Sequence, residues 1–381
     1  MSTIRTVNIQ HPSSSTPSIT MDSTGAMTGS FPYPNRNLIY NGAMQIHQRS
    51  ASTASITTGG YYTADRFNCG VNTMGTWTQS VENDAPTGLG LRKSLKMLAT
   101  TADASPAAGD YVFVNQILEG QDLQRIAKGT SSATPLTLSF WVKSNAIGTY
   151  IVEITDNDNN RRISVAYSIS ASATWERKTL TFAADTTGAF DNDNAGSLNL
   201  VWWLGAGSDF TSGALNTSWT TSTTTANRVV GQTNLAAATN NYWQITGVQL
   251  EASPVATPFE FKSFGQELRE CQRYYWRSSS DASSLSVRFS EYCPGFTATS
   301  LYVSLRNPVP MRVKASSVDY ANVSIVDGTA FTPLSSIALV SDSTNLINIV
   351  NVVSTGMTAN RPYALATNNT SSGYLGLSAE L

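Results

Sequence analysis

Charge is scarce in this sequence. Asp, Glu, Lys and Arg make up 13% of the 381 residues, about half the share of an average soluble domain. The formal net charge is -2, which supplies no long-range field to draw in phosphate backbones, so nucleic-acid binding is not expected. A polybasic membrane contact is excluded on the same ground. No apolar run approaches the roughly 20 residues that cross a bilayer, and the opening MSTIRTVNIQHPSSS lacks the apolar core of a signal peptide. Neither membrane insertion nor Sec export is expected.

Groups that carry chemistry are also few. Of the two histidines, His11 and His47, neither has neighbouring ligand or acid residues in the sequence, and no G-x-S-x-G elbow offers His47 a nucleophile. The three cysteines, Cys69, Cys271 and Cys293, are odd in number and far apart, without a CxxC pair, and read as reduced packing residues suited to assembly in a cytoplasm. A glycan-cleaving enzyme needs two placed carboxylates, whereas Asp185, Asp191 and Asp193 fall in the turn-like AADTTGAFDNDNAG. That turn and the one at Asp156 and Asp158 offer oxygen ligands to calcium, but neither completes a D-x-[DN]-x-[DN]-G loop, and solvated turns are the expectation. No short repeat signals a β-helix. The sequence therefore assigns no catalytic residue, no metal and no cofactor.

Ser and Thr fill the space that charge leaves, at about a quarter of the chain. Residues 1–36 are rich in Ser, Thr and Pro and cannot build a core alone; Ile4, Val7 and Ile9 permit an extended strand against a partner. From 37 to 260 the governing pattern has period two. Leu136, Leu138, Phe140 and Val142 alternate with polar neighbours, as do Ile163, Val165, Tyr167 and Ile169, and again Leu198, Leu200, Trp202 and Leu204. Residues 156–160, DNDNN, are turn chemistry and predict a hairpin. Many short strands with few helical windows predict an all-β fold, an antiparallel jelly roll or β-sandwich.

Residues 205–240 exceed an ordinary connection, which marks a binding loop or a poorly packed excursion, with Trp219 its one large aromatic. Residues 263–275 predict a short helix, opened by a Ser263/Gln266 capping box. Along 261–277 the residues Phe261, Phe264, Leu268, Cys271 and Tyr275 recur at spacings of 3 and 4, which either packs the helix on its own sandwich or makes a self-association seam. From 278 to 381 short strands return, at 285–289, 301–305, 336–340 and 346–353, as a second β-sandwich. Eight Trp and fifteen Tyr fill cores or stack on sugars. Alternation at Trp202-Trp203 sends one ring outward, exposed or under the long loop, so Trp203, Trp219, Tyr61 and Tyr62 are the glycan-contact candidates.

Four segments, NLIYNGAMQIHQR with YTADRF at 37–67, LTLSFWVKS at 136–144, ITGVQLEASPVATPFE at 245–260 and QELRECQRYY at 266–275, together resemble the carbohydrate-binding-module-like jelly roll of bacteriophage tail fibres and related virion proteins. TVNIQHPSSSTPSITMDSTG at 6–25 resembles the leading segment of marine and cyanobacterial phage fibre proteins, and the end, from PMR at 310–312 through GYLGLSAEL, is similar to their distal β domain. The resemblance implies a homotrimer in a virion, assembled in the bacterial cytoplasm. It further implies an arm held by a phage tail or capsid protein, attachment to a host-surface glycan and no catalysis. It supplies no sugar-contacting residues, and Phe140 and Trp141 read as scaffold in a core strand. The competing expectations are a capsid-decorating or tail structural protein without sugar binding, and a polysaccharide depolymerase.

Overall fold

A computed structural model describes residues 35–381 apart from Ser222 and Thr329, together with the backbone of three short strands in the preceding arm. Those strands, β1 (Asn8–Ile9), β2 (Ile19–Met21) and β3 (Met27–Gly29), pair antiparallel in the order β1-β2-β3. Ile9 lies in β1, whereas Ile4, Val7 and His11 fall outside the described residues. The arm, 1–36, is one compact unit and 37–381 the other.

Within the second unit, the jelly roll begins with β4 (Ser52–Tyr61), β5 (Asn68–Glu82), β6 (Ser94–Thr101) and β7 (Tyr111–Glu119). It continues through β8 (Leu136–Ser144), β9 (Gly148–Asp156), β10 (Arg161–Ile169), β11 (Glu176–Phe182) and β12 (Gly196–Ala206). After helix α1 (Ser208–Thr211) come β13 (Thr220–Thr221) and β14 (Tyr242–Ala252). The hydrogen-bonded order is β11-β8-β14-β6-β5-β7-β12-β9-β10-β13, with β4 beside β5. One sheet becomes two layers because β5 is long enough to serve both: residues 76–82 pair with β6 and residues 68–73 with β7.

Period-two alternation explains what lies between the layers. Leu136, Leu138, Phe140 and Val142 of β8 meet Leu198, Leu200, Trp202 and Leu204 of β12 in one buried cluster, where Phe140 and Trp202 pack edge to face at 6.1 Å. The hairpin predicted at 156–160 joins β9 to β10 in the register Asp156 to Arg161, with Asn160 in the left-handed region.

Helix α2 (Phe264–Gln272) starts as the sequence indicates, with the Ser263 hydroxyl accepting from the Gln266 amide at 3.3 Å. Gln266 does not reach back to complete the box, because its side chain is held by Glu270 at 3.0 Å. The helix also ends sooner than predicted: Tyr275 opens a strand, β15 (Tyr275–Ser279). The C-terminal strands are β16 (Cys293–Pro294), β17 (Ser300–Arg306), β18 (Ser317–Ala321), β19 (Val323–Val326) and β20 (Phe331–Pro333). They are followed by β21 (Ser336–Leu339), β22 (Ile347–Val353), β23 (Pro362–Thr367) and β24 (Tyr374–Ser378). They form sheets β15-β24-β18, β16-β23-β19-β20 and β17-β22-β21 around their own core of Leu301, Val303, Val350, Leu365 and Leu377. The strand expected at 285–289 is reduced to an isolated Arg288–Ala366 bridge beside β23: the Phe289 amide donates to the Leu365 carbonyl and the Thr367 amide to the Val287 carbonyl, but the Val287 and Leu365 amides are taken by the Thr367 and Ser290 hydroxyls, which breaks the ladder.

Buried charges join the two β-sandwiches. Arg66, inaccessible in the jelly roll, pairs with Glu380 beyond β24 and lies 3.5 Å over the Tyr274 ring. Arg49 also reaches Glu380, at 3.3 Å, and covers the Tyr275 ring. Glu119, at the end of β7, accepts both Nε and Nη2 of Arg273 at 2.8 and 2.7 Å. Removing one member of such a pair strands the other away from water. Glu380→Ala is therefore expected to lower unfolding free energy by about 3–5 kcal/mol in urea titration; a change below about 1 kcal/mol would place Arg66 in contact with solvent.

Asp65 sits beside this lock and accepts from the Gln48 backbone amide at 2.9 Å. Burial, only partly offset by Arg49 and the Gln48 hydrogen bonds, pushes its carboxyl from 3.8 up to about 6. The folded state thus binds a proton that the unfolded chain releases first, so this contribution is complete below pH 3.8 and lost as pH rises through about 6. Asp65→Asn removes that titration. Melting curves of the two proteins should show wild type losing ground to the variant across this window, and a pH-independent offset would rule the assignment out.

Candidate functional site

Of the four aromatic residues singled out from sequence, Trp203 is buried and Trp219, Tyr61 and Tyr62 are half-buried. Trp203 points away from the main core, as alternation requires, but residues 207–232 cover it. With Ile151, Val201 and Val229 it forms a second buried cluster, and its indole donates to Glu153 at 3.1 Å. Glu153 in turn holds Arg228 of that excursion through Nε and Nη2 at 2.9 and 2.7 Å. The long loop is a packed roof, and Trp203 is unavailable to a ligand. Trp219 donates to the Ala183 carbonyl at 2.7 Å beneath Lys128. Tyr61 donates to the Leu381 carbonyl at 3.1 Å, with Arg49 near its ring, and Tyr62 donates to Thr58 at 2.7 Å.

The two acidic turns converge on a lysine. Lys128 Nζ donates to Asp156 Oδ2 at 2.5 Å and to the Thr187 and Gly188 carbonyls at 2.9 and 2.7 Å, with Asp185 at 3.1 Å. An ammonium thus holds the place a calcium ion would take, and the expectation of solvated turns is corrected for Asp156 and Asp185, which are buried. Burial would raise the Asp185 carboxyl, but hydrogen bonds from Arg161, Thr187 and Lys128 outweigh it and hold it below the usual range. Among the described residues no group of three His, Cys, Asp or Glu is placed to hold a metal. His47 is half-buried, 3.3 Å from Lys93; burial and then that positive charge hold its imidazole below the usual range.

The structure instead brings Trp141 forward. With Phe140 and Val142 facing the core, Trp141 must face outward from β8, opposite Arg177 of β11. It lines an open trough of about 340 Å³ with Leu89, Leu91, Arg177, Phe259 and Phe261. The trough exists because β14 bulges between Thr246 and Gln249. Gly247 occupies the bulge at φ +61, where an added Cβ would stand 2.9 Å from Leu91 Cδ1 and 3.2 Å from Trp141 Cδ1. Asn37 fastens the same strand from behind, donating to the Val248 carbonyl at 3.1 Å and accepting from the Leu250 amide at 3.0 Å.

Two buried side chains of β14 then hold the wall. Glu251 accepts from the Thr257 amide and hydroxyl at 2.9 and 2.6 Å, while Gln249 donates to the Pro258 carbonyl at 3.2 Å and accepts from the Glu260 amide at 2.7 Å. Phe259 and Phe261 meet edge to face at 4.9 Å on that wall. At Leu91 the trough continues into a hollow of about 440 Å³ lined by Asn83, Thr87 and Arg92. Among the described residues no carboxylate lines either space.

No protein family matches the chain, and no curated protein is similar to it in sequence. It is similar to solved structures. One is the enzymatically active domain of tailspike protein 4 of bacteriophage CBA120, at 15% identity and a TM-score of 0.31; 57% of this chain is covered, and it spans 22% of the length of that one. Another, from Bacteroides thetaiotaomicron and described as sugar binding, has 12% identity and a TM-score of 0.31, covering 56% and 99% of the two chains. A family 11 carbohydrate-binding module from Clostridium thermocellum, in complex with a mixed-linked tetrasaccharide, has 10% identity and a TM-score of 0.27 over 54% and 98%. Likenesses of this size carry no weight for function.

Of the earlier seam, Cys271 and Tyr275 are buried within the chain and Leu268 is half-buried, because the helix ends before Tyr275 and its inner face meets the sandwiches. Phe261 and Phe264 are 50% and 58% exposed. Gly247→Ala is expected to cost about 1 kcal/mol or more in urea unfolding, through its positive φ, and to shift Trp fluorescence as the Trp141 ring is displaced. Trp141→Ala should be milder than Trp202→Ala, for which about 3–5 kcal/mol is expected; equal losses would mean that Trp141 is core.

Proposed function

We propose that this chain is a non-catalytic attachment protein whose jelly roll binds a cell-surface glycan, as a tail fibre does on a phage particle. The observation that carries the reading is the outward Trp141 at the floor of an open trough, held in place by a bulged strand. An indole face stacks on the apolar CH face of a sugar ring, and Arg177, Ser139 and the neighbouring hollow lie within reach of hydroxyls along an oligosaccharide. The absence of a lining carboxylate supports binding without cleavage, since hydrolysis needs two carboxyl groups about the scissile bond. Buried carboxylates Glu119, Glu153, Asp156, Asp185 and Glu380 are each taken by a cation.

Self-association belongs to the same reading. Phe261 and Phe264 offer an apolar surface on the outside of the jelly roll and helix, and three copies would raise a weak glycan contact to useful avidity. The arm of 1–36 is then the segment that a tail or capsid protein holds.

Binding of the full chain to intact host cells, with and without periodate oxidation of surface sugars, tests the proposal. Saturable binding lost after periodate, and weakened at least about tenfold by Trp141→Ala, is expected. Binding that ignores periodate, or none at all, would favour a particle component that contacts only protein. Release of sugar from isolated envelope would reverse the non-catalytic assignment. In sedimentation, Phe261→Asp with Phe264→Asp should leave monomers; an unchanged oligomer would place the contact elsewhere.

A further inference from the structure

We infer that the C-terminal β-sandwich carries a second carbohydrate site, a stacking platform for a neutral pyranose built from Phe296 and Tyr302. Strand β17 alternates strictly: Leu301, Val303 and Leu305 are buried in the C-terminal core, which turns Tyr302 outward with 45% of its surface exposed. Phe296, in the loop before it, is 68% exposed, more than any other large apolar side chain among the described residues. The two rings stand 5.4 Å apart at 69°, and with Pro294, Gly295 and Asn360 they line a hollow of about 400 Å³.

An exposed phenylalanine on a mobile loop means little, but this loop is fixed from both sides. The Phe296 amide donates to the Ser300 carbonyl at 2.8 Å, and the Thr297 hydroxyl accepts from the Thr299 and Ser300 amides at 3.1 and 3.0 Å. On the other side Gly295 donates to the Arg361 carbonyl and accepts from the Asn360 amide, both at 2.9 Å. That approach requires glycine, since a Cβ at 295 would lie 2.9 Å from the Thr358 carbonyl oxygen. Asn360 is itself left-handed, at φ +65. The platform is therefore formed before any ligand arrives, which removes the ordering cost of binding.

The lining selects the ligand. It holds no charged side chain, so an ionic group gains nothing there. Two ring faces suit the CH face of a sugar, and the Tyr302 hydroxyl and the Asn360 side-chain amide, which have no hydrogen-bond partner among the described residues, suit its hydroxyls. A protein partner is disfavoured by size: a stable interface buries about 1,200–2,000 Å² in total, whereas this platform gives way to the hydroxyl-bearing Thr297, Thr299 and Ser300. The site does not depend on the Trp141 trough, because it stands on the separate C-terminal core.

Saturation-transfer NMR on the full chain with lactose, maltose, cellobiose and chitobiose tests the inference, using Trp141→Ala, Phe296→Ala, the double variant and Tyr302→Phe. Trp141→Ala is expected to keep a transfer signal from at least one disaccharide, and the double variant to weaken that binding about tenfold or more. Tyr302→Phe keeps the ring and should weaken it less. Phe296→Ala should melt with wild type, since the ring is mostly in solvent. Loss of all signal in Trp141→Ala alone would overturn this inference and leave the first site standing. A signal in Trp141→Ala that is indifferent to Phe296 would overturn it too, as would capture of a host protein through Phe296 without sugar.

Discussion

Compensation of buried charge is the constraint on which the rest of this fold depends. The chain has few ionic groups, and it places Glu119, Glu153, Asp156, Asp185 and Glu380 where water scarcely reaches, each against a cation. A pair of this kind adds little net stability compared with a well-packed apolar substitute, but it penalises any arrangement that leaves one partner alone. That asymmetry works at three places. Glu153 with Arg228 holds the long excursion over Trp203, Lys128 gathers two turns, and Glu380 with Arg66 sets one sandwich against the other. Because charge is sparse and its two signs nearly balance, the surface is nearly neutral and suited to partners recognised by shape and hydrogen bonding rather than by field.

Much of the architecture was legible because strand periodicity is a local property. The inward faces of β8, β10 and β12 and the turn at 157–160 follow from alternation and from Asn chemistry alone. The limits of α2 were less so. Its apolar stripe runs on through Tyr275, but pairing of β15 with β24, far later in the chain, takes Tyr275 into a sheet opposite Ser378. At 285–289 the stretch does run beside β23, but the Thr367 and Ser290 hydroxyls take amides that a full ladder needs, a competition that alternation does not reveal.

The site was harder to read, although one signal lay in plain view. The parity that put Phe140 inside also puts Trp141 outside, and an outward tryptophan in a weakly charged strand is the kind of residue a stacking surface uses. Trp203 obeys the same parity and is nevertheless sealed, which only the course of residues 207–232 decides. Gln249, Glu251 and Asn37, which sit in segments that carry the family resemblance, hold the bulge and wall on which the Trp141 trough depends.

The distance along the chain between Arg66 and Glu380 has a consequence for biosynthesis. All eleven strands of the jelly roll have been translated once residue 252 is made, yet the partner of Arg66 lies 314 residues beyond it. From residue 252 to Glu380, at about 5–20 residues per second, a ribosome needs roughly 6 to 26 s to supply that carboxylate. Throughout that interval the nascent sandwich carries a guanidinium that it cannot close over, and its Tyr274-facing surface stays hydrated. The same uncompensated cation would reappear in any product that stops short of Glu380.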